Sequence, residues 1–169
     1  MTLAEVNDLD RDGFANALGH VFEHSPWVAA EAWRYRPFDS AADLSRAMQA
    51  VLREAGADAQ LALIRAHPDL AGKAVRAETL TRDSAREQAD ADLDQLSAEE
   101  YEQFHRLNAA YQAKFTFPFI ICVRQHDKHA ILAAFERRLA RDAVAERRQA
   151  LHEIGEIVRL RLSDLIQGS

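Results

Sequence analysis

The sequence predicts an all-α, single-domain helical bundle with one buried extended segment near residues 116–123. Three observations carry that expectation. Ala, Leu, Arg, Glu and Gln dominate, and all are good helix formers. Apolar residues recur at spacings of three and four, and no segment sustains the alternation of a half-buried strand. The 169 residues are 48% hydrophobic with only six Gly and four Pro, enough for one continuous core and too few for two ordinary domains. One domain over residues 1–169, with its core from about 14 to 166, is therefore expected.

The first helix spans Arg11 to about His24, with Phe14, Leu18, Val21 and Phe22 on one side, and Ser25-Pro26-Trp27 restarts the helix with Pro26 in its first turn. After Arg36-Pro37-Phe38, the segment Ser40 to Ala55 repeats the pattern through Leu44, Ala47, Met48 and Val51 and stops at Gly56. A shorter helix from Ala57 must end near His67, because Pro68 drives the residue before it out of the helical region. Asp69 to Asp83 is polar and weakly patterned and reads mainly as loop, with room for one helical turn. Ser84-Ala85-Arg86-Glu87 and Ser97-Ala98-Glu99-Glu100 both read as capping boxes, the second opening a long helix to about Phe115. Thr116 to Val123 is too apolar for a surface loop and carries a mid-run proline, so it threads through the core as extended chain. Lys128 to Arg141 and Ala143 to about Ile166 complete the bundle.

A net charge of −6 and a pI near 5.6 argue against nucleic acid or an anionic membrane surface as the main partner. No apolar run approaches the roughly 18 residues of a spanning helix, and Met1 to Glu5 lack a basic stretch before an apolar one. The single Cys122, set in an apolar run, reads as a small buried hydrophobe in a reduced, cytoplasmic setting. The terminal Gln167-Gly168-Ser169 is not the peroxisomal Ser-Lys-Leu address.

Helical geometry singles out Arg161. On a wheel of about 100° per residue, Leu151, Ile154, Val158, Leu162 and Leu165 form one stripe with Arg161 inside it, whereas Arg159 points to solvent. A guanidinium facing the core requires an anion, either a buried Asp or Glu or an anionic ligand. His67 stands where a helix gives way to a proline turn, which suits a group that exchanges protons near neutral pH, although a histidine can also simply close a helix. Glu87 shares that ambiguity, since a capping box would explain it fully, and Ser84 and Gln88 inherit it.

Three patterns imitate other chemistry. Asp8 to Gly13 opens like a calcium loop, but the twelfth position is Gly19 instead of the required bidentate Glu. His20-Val21-Phe22-Glu23-His24 matches a zinc pattern, with both histidines on one helical face and no third ligand evident. Arg137-Arg138 and Arg147-Arg148 are interleaved with Glu136, Asp142 and Glu146, which reads as solvated helix faces.

Taken together, Phe22-Glu23-His24-Ser25-Pro26-Trp27, Arg36-Pro37-Phe38, His67-Pro68-Asp69-Leu70-Ala71-Gly72-Lys73, Ser84-Ala85-Arg86-Glu87-Gln88 and Lys114-Phe115-Thr116-Phe117-Pro118-Phe119-Ile120 resemble the signature of 2-oxo-4-hydroxy-4-carboxy-5-ureidoimidazoline (OHCU) decarboxylases. The resemblance runs from about Phe14 to Ile166 in order and spacing. It implies an all-helical, cofactor-free, metal-free decarboxylase of urate breakdown that acts on a small ureide, and a homodimer. It also implies His67 and Glu87 as catalytic residues and Arg161, Ser84 and Gln88 as substrate contacts. Pro68, Phe119 and Ile121 would line the pocket, the last two on an extended segment that offers main-chain groups. The chain departs from the pattern at Ala89-Asp90-Ala91-Asp92-Leu93, where Ala-Gly-Leu is expected, and at Thr116 and Gln125, where Gly is usual. Competing readings are a non-catalytic helical interaction module, a zinc hydrolase on His20, Glu23 and His24, and an enzyme of a related ureide.

Overall fold

The computed structural model describes residues 1–71 and 80–167. Gly72 and Lys73 of the motif after His67, the middle of the expected 69–83 loop and the Gly168-Ser169 end lie outside the described residues. The helices are α1 (Leu3–Asp8), α2 (Arg11–Leu18), α3 (Trp27–Ala32), α4 (Ala41–Glu54), α5 (Ala57–Arg65), α6 (Arg82–Asp90), α7 (Ala98–Phe115), α8 (Lys128–Leu139) and α9 (Ala143–Leu165). Short 3₁₀ turns occupy Gly19–Val21, Trp33–Tyr35 and Val123–Gln125. Among the described residues the only β-type pairing is an isolated bridge between Thr2 and Gln167, so the all-α expectation holds. Their helices include none long and apolar enough to cross a membrane. The chain clusters into two compact units, Met1–Ala66 with Ile154–Ser169, and His67–Glu153.

In the first unit, local caps set the helix starts. Thr2 and Glu5 form a capping box on α1, and the Asp10 carboxylate accepts from the Gly13 N–H at 2.7 Å to start α2. The calcium-like run is thus spent on a helix start. The helix expected to reach His24 ends at Leu18, passes into the 3₁₀ turn and leaves His24 at φ 46°. Gly19 meets Pro26 closely, since a Cβ on Gly19 would stand 2.8 Å from the Pro26 Cβ. Glycine there lets Pro26 sit against its backbone, and the chain turns further on, at Phe22 and His24. Phe14, Leu18, Val21 and Phe22 are still buried, as their spacing requires. Helix α4 buries Leu44, Met48 and Val51 behind its Ser40 cap, and α5 ends at Arg65, two residues before His67, as Pro68 demands.

In the second unit one expected cap is corrected. Helix α6 starts at Arg82, and the Thr81 hydroxyl accepts from the Ser84 N–H, so Ser84 lies inside the first turn and Glu87 is no capping-box partner. The other box is present, with both halves of the Ser97 and Glu100 exchange made at the start of α7.

Two departures from the family pattern fall at left-handed backbone. Asp92 follows α6 at φ 57°. There the Leu93 N–H reaches the Gln88 carbonyl at 2.9 Å and the Asp92 N–H reaches that of Ala89 at 3.0 Å, a Schellman cap with Leu93 buried behind it. Asp tolerates this conformation. Thr116 ends α7 at φ 65°, and a β-branched residue bears strain there. Thr116→Gly is expected to raise stability by about 1 kcal/mol, the left-handed strain less the added chain entropy of glycine. The measurement is a rise in Tm of about 2–4 °C in a thermal melt.

Beyond Thr116 the chain from Phe117 to Val123 is buried throughout and non-helical up to the 3₁₀ turn at Val123, as expected of a segment threaded through a core. Phe119 stacks on Phe135 of α8 at 3.7 Å between ring centroids, and Tyr111 of α7 meets both rings edge-on.

Candidate functional site

Seven of the eight proposed site residues, His67, Pro68, Ser84, Glu87, Gln88, Phe119 and Ile121, belong to the second unit, and Arg161 belongs to the first. The turn that follows His67 is tethered by two buried side chains. The Ala71 N–H donates to Gln88 Oε1 at 2.9 Å, and Asn108 Nδ2 of α7 donates to the Leu70 carbonyl at 2.8 Å. Ala71 takes the left-handed φ of 49°.

Helix α6 inverts the usual amphipathic arrangement. Ser84, Glu87 and Gln88, at spacings of three and four, share one face, with Ser84 and Gln88 buried and Glu87 half-buried. Buried polar groups of this kind need hydrogen-bonding partners. Gln88 commits its carbonyl oxygen to the Ala71 N–H, so its amide N–H groups are what it can offer a ligand. With its capping role removed, Glu87 is a carboxylate on this inward face, one turn beyond the helix start. Helix α6 also packs against the Val123–Gln125 turn that ends the apolar segment. Tethers and packing therefore gather the His67 turn, the polar face of α6 and the end of that segment.

Among the described residues the apolar segment has no neighbouring strand, and its main chain is served by side chains. Arg138 of α8 donates from NH1 to the Ile120 carbonyl at 2.7 Å, and the Cys122 N–H donates to Glu153 Oε2 of α9 at 2.8 Å. Among the described residues, the main chain of Phe119 and of Ile121 makes no hydrogen bond, although both residues are buried.

Arg138 corrects the reading of Arg137-Arg138 and Glu146 as solvated helix faces. Arg138 is 4% exposed and Glu146 is 0% exposed. The Arg138 Nε donates to Glu146 Oε2 at 2.9 Å, and its guanidinium lies over the Phe119 ring at 4.3 Å. Tyr111 donates its hydroxyl to the same Glu146 oxygen, and Arg141 approaches the other at 3.2 Å. Burial, reinforced by the bond to Glu146, holds the Tyr111 phenol far above its ordinary pKa, so it stays a neutral donor.

Sequence reasoning missed Arg138, Glu146 and Glu153, and for Arg138 the signal was present. Ile131, Ala134 and Phe135 form the buried stripe of α8, and Arg138 continues it at i+7, i+4 and i+3. Glu146 and Glu153 share a face of α9 with the buried Ala150. The wheel that exposes Arg161 on α9 exposes Arg138 when laid on α8, whereas Glu146 and Glu153 fall to one side of the Leu151, Ile154 and Val158 stripe.

In the first unit Arg161 is 5% exposed. Its NH2 lies 3.2 Å from Glu23 Oε1, and its NH1 donates to the Val21 carbonyl at 3.2 Å. Glu23 is thus a buried anion of the kind the wheel required. This pairing also corrects the zinc-like pattern. Its Glu is engaged with a guanidinium, and its histidines share no helical face, since His20 sits in a 3₁₀ turn and His24 beyond it at positive φ.

A family model described as OHCU decarboxylase matches residues 7–163. A 2-oxo-4-hydroxy-4-carboxy-5-ureidoimidazoline decarboxylase of Haloferax volcanii is 44% identical over 164 residues, covering 97% of this chain and 95% of that protein. The uric acid degradation bifunctional protein PucL of Bacillus subtilis is 41% identical over 165 residues, 98% of this chain and 33% of that longer protein. The crystal structure of an (S)-allantoin synthase superposes with a TM-score of 0.77 at 30% identity, over 100% of this chain and 55% of that one.

Proposed function

We propose, from the premise that this chain belongs to the OHCU decarboxylase family, that His67 and Glu87 carry out its reaction and that Arg161, Ser84 and Gln88 bind its substrate. The protein is a carboxy-lyase of uric acid degradation that converts 2-oxo-4-hydroxy-4-carboxy-5-ureidoimidazoline, a small ureide, to (S)-allantoin.

The substrate bears a carboxylate and a hydroxyl on one ring carbon, beside an imine carbon. When the carbon–carboxylate bond breaks, carbon dioxide leaves and the electron pair moves into a new ring double bond, with the imine electrons passing to the ring nitrogen, which takes up a proton. The ring is its own electron sink. The protein's contribution is orientation, charge placement and directed proton transfer. His67 manages the hydroxyl proton as the ring carbonyl forms and protonates the ureido-bearing carbon from one face, which sets the S configuration. Glu87 orients the ureido nitrogens, with Ser84 and the Gln88 amide beside it. Arg161 supplies charge-assisted hydrogen bonds to the substrate. The apolar run around Phe119 and Ile121 disfavours the charge of the departing carboxylate.

The observation that carries these roles is the inward polar face of α6, where Ser84, Glu87 and Gln88 stand together without a capping duty to explain Glu87. The decisive measurement is circular dichroism of freshly generated substrate with and without the protein. Faster decay into a single enantiomer of allantoin is expected. An unchanged time course to racemic product would sink the reading and favour a non-catalytic helical module.

A further inference from the structure

We propose that Arg138 and Glu153 are positioning residues for the reaction, clamping one edge of the 118–122 segment so that the main chain of Phe119 and Ile121 is held in register for a flat ureide. This rests on the decarboxylase reading of the site. In extended backbone, alternate residues turn their N–H and C=O groups to opposite edges. The two clamped groups, the Ile120 carbonyl and the Cys122 N–H, are two residues apart, and Cys122 is extended at φ −73°, ψ 91°. Phe119 and Ile121 alternate with them, buried and without main-chain hydrogen bonds among the described residues. Buried peptide groups are rarely left unmet. A ligand carrying alternating carbonyl and N–H groups is the chemistry that meets them.

The clamps are built to hold orientation. Arg138 is fixed at three points, by the Ile120 carbonyl, by Glu146 and by the Phe119 ring. Glu146 is held in turn by Tyr111. Glu153 accepts from Cys122 through one oxygen and from Gln149 Nε2 through the other at 2.9 Å. The two anchors come from different helices, α8 and α9. A buried charge is a costly way to obtain stability alone, since apolar packing often serves as well. Its advantage here is that a guanidinium fork and a carboxylate fix direction as well as distance.

The test uses the full chain and three variants, Glu153→Ala, Glu153→Gln and Arg138→Lys. Each is assayed by steady-state decarboxylation, amide hydrogen exchange of peptides covering 117–122, and thermal melting. Glu153→Gln keeps an acceptor for the Cys122 N–H and is expected to stay within threefold of wild type in kcat/KM. Glu153→Ala should lose at least tenfold in kcat/KM, chiefly through KM, with exchange at 117–122 at least tenfold faster and exchange in α4 unchanged. Arg138→Lys, unable to serve Ile120 and Glu146 together, should behave like Glu153→Ala. A lowered Tm with wild-type KM and wild-type exchange at 117–122 would assign both residues to stability alone and overturn the proposal. If Arg138→Lys fails to fold, the two Glu153 variants decide the matter. If wild type does not turn over the substrate, the functional reading fails, and exchange at 117–122 still tests the clamp.

Discussion

Replacing His67 with alanine is expected to slow decarboxylation by about 10²- to 10⁴-fold, the range a positioned acid/base group supplies, and to make the remaining product racemic. The racemic product is the more discriminating half of the result. A variant that bound substrate poorly would still deliver its proton to one face, whereas one without the proton donor leaves that step to solvent, which reaches both. The fold should survive, because His67 lies two residues beyond the end of α5 and the turn after it is tethered through Leu70 and Ala71. A stability loss within about 1 kcal/mol is expected for such a position. Circular dichroism of the product, paired with a thermal melt, makes the check. Full rate with full stereoselectivity in a folded His67→Ala protein would remove His67 from the mechanism.

The largest stability loss is expected from Glu146→Leu, about 3–5 kcal/mol, as for other buried pairs broken from one side. The carboxylate accepts from both Arg138 Nε and the Tyr111 hydroxyl and faces Arg141. Its removal leaves a buried guanidinium and a buried phenol without their acceptor. Burial, the largest cause of the raised phenol pKa, persists without Glu146 and still opposes ionisation. Urea denaturation measures the loss. The triple variant Tyr111→Phe, Arg138→Met, Glu146→Leu replaces the network with apolar groups of similar size and should recover much of the stability, because the cost lies in stranding charges and not in lacking them. Recovered stability without recovered activity in that variant would agree with the clamp proposed for Arg138.

Some of this was legible residue by residue. The Ser97 and Glu100 box, the stop imposed on α5 by Pro68 and the burial of the 117–123 run each depend on the backbone of a few neighbouring residues, and each stands as read. Errors arose where a local signal had a competitor elsewhere. Ser84-x-x-Glu87 has the form of a cap, but Thr81 takes the amide that Ser84 would need to begin the helix. The helix through His24 has the right period, but the chain passes into a 3₁₀ turn after Leu18 and packs Pro26 against Gly19. Arg138 and Glu146 look like surface charge because their neighbours in sequence are charged, while their neighbours in space are Phe119, Ile120 and Tyr111.

The sequence by itself determined the helical class, most element boundaries, the demand for an anion near Arg161 and, through its motifs, the family, because periodicity, capping and proline act over a few residues. Only the tertiary structure decided which charges meet. It gave Arg161 to Glu23, Arg138 to Glu146 and Ile120, and Glu153 to Cys122. Those choices depend on which buried peptide groups lack a partner once the chain is packed, and a group's partner through space has no signature in the residues beside it.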